Sequence, residues 1–140
     1  MRRAWRSRCA SAAPAPLLAA AAWAATPALL ELGGHAVEGM LLVQSHNPQD
    51  SSPRFAAFQQ AFRARFDGLP GYGAAVAYDA VLVLEQALAR AAPGESLKEA
   101  VLGHGPYQGL QQSIAFDRFG DASRTAYATV VRGGRFVLWP

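Results

Sequence analysis

Four phenylalanines, Phe55, Phe58, Phe62 and Phe66, recur at intervals of three, four and four. On a helix that spacing sets all four rings along one stripe, while Arg54, Gln59, Arg63 and Arg65 take other faces. Such a stripe must be buried. At about 1.5–3 kcal/mol per buried ring the four contribute roughly 6–12 kcal/mol, far more than a surface ion pair on the opposite side. Packing therefore explains these aromatics better than a cofactor does.

The residues around this helix set its limits and those of its neighbours. Ser52-Pro53 supplies an N-cap and a first-turn proline, and Asp67-Gly68-Leu69-Pro70 stops the helix. Pro70 to Ala80 is a glycine-punctuated turn running into a second helix over Gly73–Ala92, with Ala77, Val81, Leu84 and Leu88 along one face. Gly71 and Gly73 give the backbone freedom to bend, which presents Tyr72 at the helix entrance on a constrained loop. Tyr72 there either contacts a ligand or caps a hydrophobic cluster beside the turn. Pro93-Gly94 ends the second helix, and a third spans Ser96–Leu102. Short strands follow over Gln112–Phe116, Thr125–Val131 and Arg135–Trp139, the last two joined by a Gly133-Gly134 hairpin turn.

Upstream, Thr26-Pro27 opens a short helix over Ala28–Leu32 that Gly33-Gly34 closes, and Val37–Val43 reads as a strand. The polar run Ser45–Ser51 is a turn. Residues 1–25 allow two readings. The arginine-rich start, the apolar run from Pro16 and the Ala22-Trp23-Ala24 triplet imitate a secretory signal peptide. Alternatively, Leu17–Ala22 is a strand of a parallel sheet, buried on both faces and so continuously apolar.

Composition removes several functional classes. The 140 residues, 51% of them hydrophobic, fit one modest domain with a real core. Of thirteen basic residues, Arg2, Arg3, Arg6 and Arg8 crowd the first eight positions; the nine that remain face ten acidic residues. The body of the chain thus offers no basic surface to nucleic acid. Cys9 stands alone, so there is neither an internal disulfide nor a cysteine metal site, and His35, His46 and His104 read as surface or loop residues without metal-ligand spacing. There is no nucleophile elbow, no phosphate loop and no catalytic constellation, so the expectation is a protein that is not an enzyme and has no cofactor. Gly71-Tyr72-Gly73 lacks the third glycine and the preceding strand of a dinucleotide fingerprint, and Asp117–Asp121 is a polar β-turn in place of a calcium loop.

Several blocks taken in order resemble the type I periplasmic ligand-binding proteins, in particular the branched-chain amino acid-type substrate-binding subunits of ABC importers. These are Leu32-Gly33-Gly34-His35-Ala36-Val37-Glu38-Gly39, the four-phenylalanine helix, Tyr78-Asp79-Ala80-Val81, Tyr107-Gln108-Gly109-Leu110, Phe116–Asp121 and Gly133-Gly134-Arg135-Phe136-Val137.

The resemblance implies an α/β fold: part of the type I periplasmic-binding-protein fold, with parallel-sheet segments, flanking helices and a C-terminal β-hairpin. Residues 16–140 would be the C-terminal part of a two-lobed ligand-binding domain, truncated or separately encoded, and residues 1–15 an arginine-rich segment foreign to the family or part of a signal-like start. Gly39–Gln44 would cross between lobes, and the strand reading of Leu17–Ala22 gains weight. The implied function is a periplasmic substrate-binding component of an importer for amino acids or related small organic compounds, working with an ABC permease. A sensory domain of the same fold is the alternative. Tyr72 matches the position that supplies an aromatic cleft contact, and Trp23 lies beside the position where amino acid binders carry an acidic residue. Here Ala22-Trp23-Ala24 holds no carboxylate, so an aromatic or aliphatic carboxylate is as fitting a ligand as an amino acid.

Overall fold

The computed structural model describes residues 16–140; the arginine-rich segment 1–15 and Cys9 lie outside the described residues. The elements in order are β1 (Ala19–Ala21), α1 (Pro27–Gly33), β2 (Leu41–Gln44), α2 (Pro53–Phe66), α3 (Tyr72–Arg90), α4 (Leu97–Gly103), β3 (Tyr107–Gln108), β4 (Ser113–Phe116), β5 (Ala122–Ser123), β6 (Tyr127–Arg132) and β7 (Arg135–Leu138). Single 3-10 turns cover Ala22–Ala24 and Gly34–Val37. The main sheet has the order β1-β2-β6-β7, parallel between β1 and β2 and antiparallel elsewhere; β3-β4-β5 form a small antiparallel sheet.

Local chemistry accounts for the helix ends. The Thr26 and Ser52 hydroxyls accept from the Leu29 and Phe55 backbone N–H groups, each followed by proline at the first helical position. Ser96 and Glu99 form a capping box at the start of α4. Asp67 closes α2 in the left-handed region at φ 52°, which its short polar side chain tolerates. Gly133 and Gly134 both have positive φ, as a tight hairpin turn requires.

The chain packs as two units. In the sheet unit, Ala25, Val37, Leu42 and Val131 form a buried cluster beneath α1 and the hairpin. In the helical unit, Phe55, Phe58, Ala75 and Leu110 join α2 to α3, and Val83, Ala87, Ala100, Tyr107 and Ile114 join α3, α4 and the small sheet. The Tyr107 hydroxyl reaches the Ala100 and Val101 carbonyls at 2.7 and 2.9 Å, so this buried phenol is satisfied.

Five expectations need correction. Leu17–Ala22 does contain a strand pairing in parallel with β2, but β1 is the edge strand; Leu17, Ala19 and Ala21 are exposed. The strand expected over Val37–Val43 begins only at Leu41, because Val37 lies in a 3-10 turn and Gly39 takes φ 79°. The phenylalanine stripe is continuous, with neighbouring centroids 4.6–6.1 Å apart, yet burial fades from Phe55 at 0% exposed to Phe66 at 59% as α2 runs past the elements that cover it. On α3 the buried residues are Ala75, Asp79, Val83 and Ala87, whereas Ala77, Val81, Leu84 and Leu88 face outward. Small side chains let α3 approach its neighbours closely, and the larger ones are left on the uncovered side. Finally, neither Gly71 nor Gly73 adopts left-handed backbone; Gly71 is the extended N-cap of α3.

Candidate ligand-binding site

A cleft of about 700 Å3 opens between the two units. Its walls come from α1 (Pro27, Leu30, Glu31), the far end of β2 and the loop beyond it (Gln44, His46, Pro48), Gln59 of α2, the 68–72 turn and the hairpin residues 134–136. Tyr72, the first residue of α3, is half-buried on this wall and packs against the sheet-unit cluster as well. The two roles open to it in the sequence are therefore compatible: one side of the ring closes a core and the residue still borders the cleft.

The polar groups of the wall are held in place. Gln44 is buried, and its amide donates to the Thr129 hydroxyl at 2.7 Å, which donates in turn to the Leu42 carbonyl. His46, expected as a surface or loop histidine, is 7% exposed and packs edge-on against Phe55 with centroids 5.3 Å apart. Burial pushes its pKa below the ordinary imidazole value, opposed by Gln111 and by the negative charges of Asp50 and Asp79. Its Nδ1 is buried without a hydrogen-bond partner. His104 is also no simple surface residue: its Nε2 lies 2.9 Å from Glu95, holding that carboxyl below its usual range together with the Ala92 N–H.

Beside His46 lies a second, smaller cavity of about 10 Å3, room for roughly one water. Asp79 dominates it. One carboxylate oxygen accepts from the Leu110 N–H at 2.6 Å and the other from Arg124 at 2.8 Å. Gly109 is required beside it, since a Cβ there would fall 2.5 Å from the Gln112 carbonyl oxygen and 3.1 Å from Asp79.

The residues singled out in the sequence separate here. Tyr72 borders the cleft; Trp23, 77% exposed, lies on a neighbouring shallow groove with Leu29 and Leu32; Ala22 is half-buried in the turn before it. Gln44, His46, Glu31 and Arg135 escaped sequence reasoning because they come from three separate segments: β2 with its following loop, α1 and the hairpin. The one signal was topological: Gln44 is the last residue of β2, and α/β sheets bind ligands at the carboxyl ends of their strands. Among the described residues no three histidine, cysteine or acidic side chains gather to hold a metal, and no helix is long and apolar enough to cross a membrane.

A sequence model described as periplasmic binding protein matches residues 11–135. The chain belongs to the periplasmic binding protein family. Among solved structures it is similar to a leucine binding protein, LivK, of Thermotoga maritima, with TM-score 0.79 and 26% identity over 99% of this chain and 39% of that one. A putative branched-chain amino acid ABC transporter structure from Rhodospirillum rubrum gives TM-score 0.70 and 31% identity over 98% of this chain and 40% of that one. An ABC transporter substrate-binding protein of Desulfitobacterium hafniense, solved in complex with Leu, gives TM-score 0.67 and 30% identity over 75% of this chain and 32% of that one. No curated protein sequence matches. The chain thus spans about two-fifths of the length of the first two structures it resembles, and its mixed α/β fold is part of a type I periplasmic-binding-protein fold.

Proposed function

We propose that this chain is the cleft-forming part of a substrate-binding component of an ABC-type importer, acting in the periplasm on amino acids or related small organic compounds and handing them to a permease. It binds and does not catalyse. The observation that carries this reading is the cleft itself. Its volume of about 700 Å3 falls within the ~300–1,000 Å3 usual for small-molecule sites, and it mixes apolar surface (Leu30, Leu69, Phe136) with a few fixed polar groups. The kinship with ABC transporter binding proteins, one solved with leucine, supports the same class of ligand.

The test restores the rest of a two-lobed unit. Residues 16–140 grafted onto the remaining part of a relative should bind a ligand measurable by calorimetry. Replacing Tyr72 by Ala should then weaken binding by ~1–3 kcal/mol, through lost ring contact and lost hydroxyl hydrogen bonding. A folded chimera whose affinity is untouched by Tyr72→Ala removes Tyr72 from the site.

A further inference from the structure

Among the described residues, His46 Nδ1 is the one side-chain nitrogen or oxygen that is buried with no hydrogen-bond partner. The residue is 7% exposed, and its ring is held edge-on against Phe55. A buried polar atom left unanswered is costly, and folds meet that cost with a protein partner or an internal water.

The cavity of about 10 Å3 that His46 borders is also lined by Asp79, Gln111, Gln112 and Arg124. Both glutamines are committed elsewhere. Gln111 accepts from the Asn47 N–H at 2.9 Å and donates to the Asn47 carbonyl at 2.8 Å. Gln112 accepts from the Thr125 N–H at 2.6 Å and donates to the Ser45 carbonyl at 2.8 Å. Asp79 retains capacity. A carboxylate has roughly four lone-pair sites, and here one oxygen takes the Leu110 N–H and the other Arg124.

The charges of the cavity decide what fits it. Arg124 opposes a metal ion there and Asp79 opposes an anion, whereas a neutral molecule that both donates and accepts suits the pair. The volume admits roughly one water, and an internal water needs two to four polar partners.

We infer that this cavity is a binding site for one internal water, which donates one hydrogen to His46 Nδ1 and the other to the Asp79 carboxylate. The water ties the loop after β2, on the cleft wall, to the ion pair on α3. His46 is then a positioning residue, neutral, with its ring proton on Nε2. The site stands whatever the cleft binds.

The test is a crystal structure of the 140-residue chain that shows ordered water, joined to NMR of the histidine ring nitrogens. Expected are a single peak about 2.5–3.2 Å from both Nδ1 and an Asp79 oxygen, and a His46 ring protonated at Nε2 with Nδ1 accepting. His46→Phe keeps a ring against Phe55 and should lose the peak; His46→Asn, which restores a polar atom near the Nδ1 position, should regain it. Nδ1 bonded directly to Gln111 or Asp79 with no water between would overturn the inference. So would a peak that survives His46→Phe unchanged, since the water would then belong to the ion pair alone. Should either variant fail to fold, the wild-type peak and the Nε2–H form decide the matter by themselves.

Discussion

Asp79 with Arg124, and Glu31 with Arg135, are the same chemistry put to opposite uses. In the first pair both groups are largely buried, 2.8 Å apart, and the spare carboxylate oxygen takes the Leu110 N–H. In the second, two charges border an open cleft, and among the described residues neither has a side-chain partner. A buried charge must be answered within the fold, because desolvation without a counter-charge is costly, whereas a charge on an open wall can wait for a ligand to answer it. The closed pair ties α3 to the loops at Leu110 and Arg124, whereas Glu31 and Arg135 stay on the open wall of the cleft.

The largest effect should come from breaking the closed pair. Asp79→Ala should cost about 3–5 kcal/mol in urea denaturation, since it leaves the Arg124 charge and the Leu110 N–H unanswered. Asp79→Asn should cost less by keeping an acceptor for Leu110. A loss below about 0.5 kcal/mol in the alanine variant would mean the pair is no more than a surface contact. The same contrast of closed and open recurs on α3. Ala87, fully buried, should lose ~1–3 kcal/mol on change to Leu by overpacking. Leu88, its 60% exposed neighbour, should tolerate Lys within about 0.5 kcal/mol and lower the binding of an apolar dye. Equal costs at the two positions would refute the assignment of faces.

The smallest effect concerns His46, which stands between the two regions. Its folded-state pKa is lowered by burial, so the unfolded chain takes up the proton first. Stability should therefore fall as pH drops below the ordinary imidazole value of ~6.5, levelling off below the folded pKa. His46→Gln should flatten that part of the stability curve, measured by denaturation at successive pH values. An unchanged slope would show that other groups carry it.

What the sequence made legible was local. Thr26-Pro27, Ser52-Pro53 and Gly133-Gly134 each mark an element end through contacts within a few residues, and all three stand. Burial was harder to read because it depends on what packs alongside. α3 is apolar on both faces, so periodicity alone could not say that Ala75, Val83 and Ala87 face inward and Val81, Leu84 and Leu88 do not. The phenylalanine stripe likewise shows which rings share a face, not how far along α2 the cover extends. Asp79 entered the sequence reading only as part of the Tyr78-Asp79-Ala80-Val81 block, because its partners are 31 and 45 residues away. At the candidate site, the turn into α3 pointed to Tyr72, while Glu31, His46 and Arg135 come to border one cleft only once α1, β2 and the hairpin are assembled.

Ligand should enter the open cleft and leave the closed pair alone. The most direct measurement is amide shift mapping of the isotope-labelled chain with leucine. The account predicts saturable shifts at Glu31, Gln44, His46, Tyr72 and Phe136, with Leu110, Arg124 and Tyr107 unmoved. Shifts centred on Leu110 and Arg124, with Tyr72 and Phe136 unaffected, would contradict it.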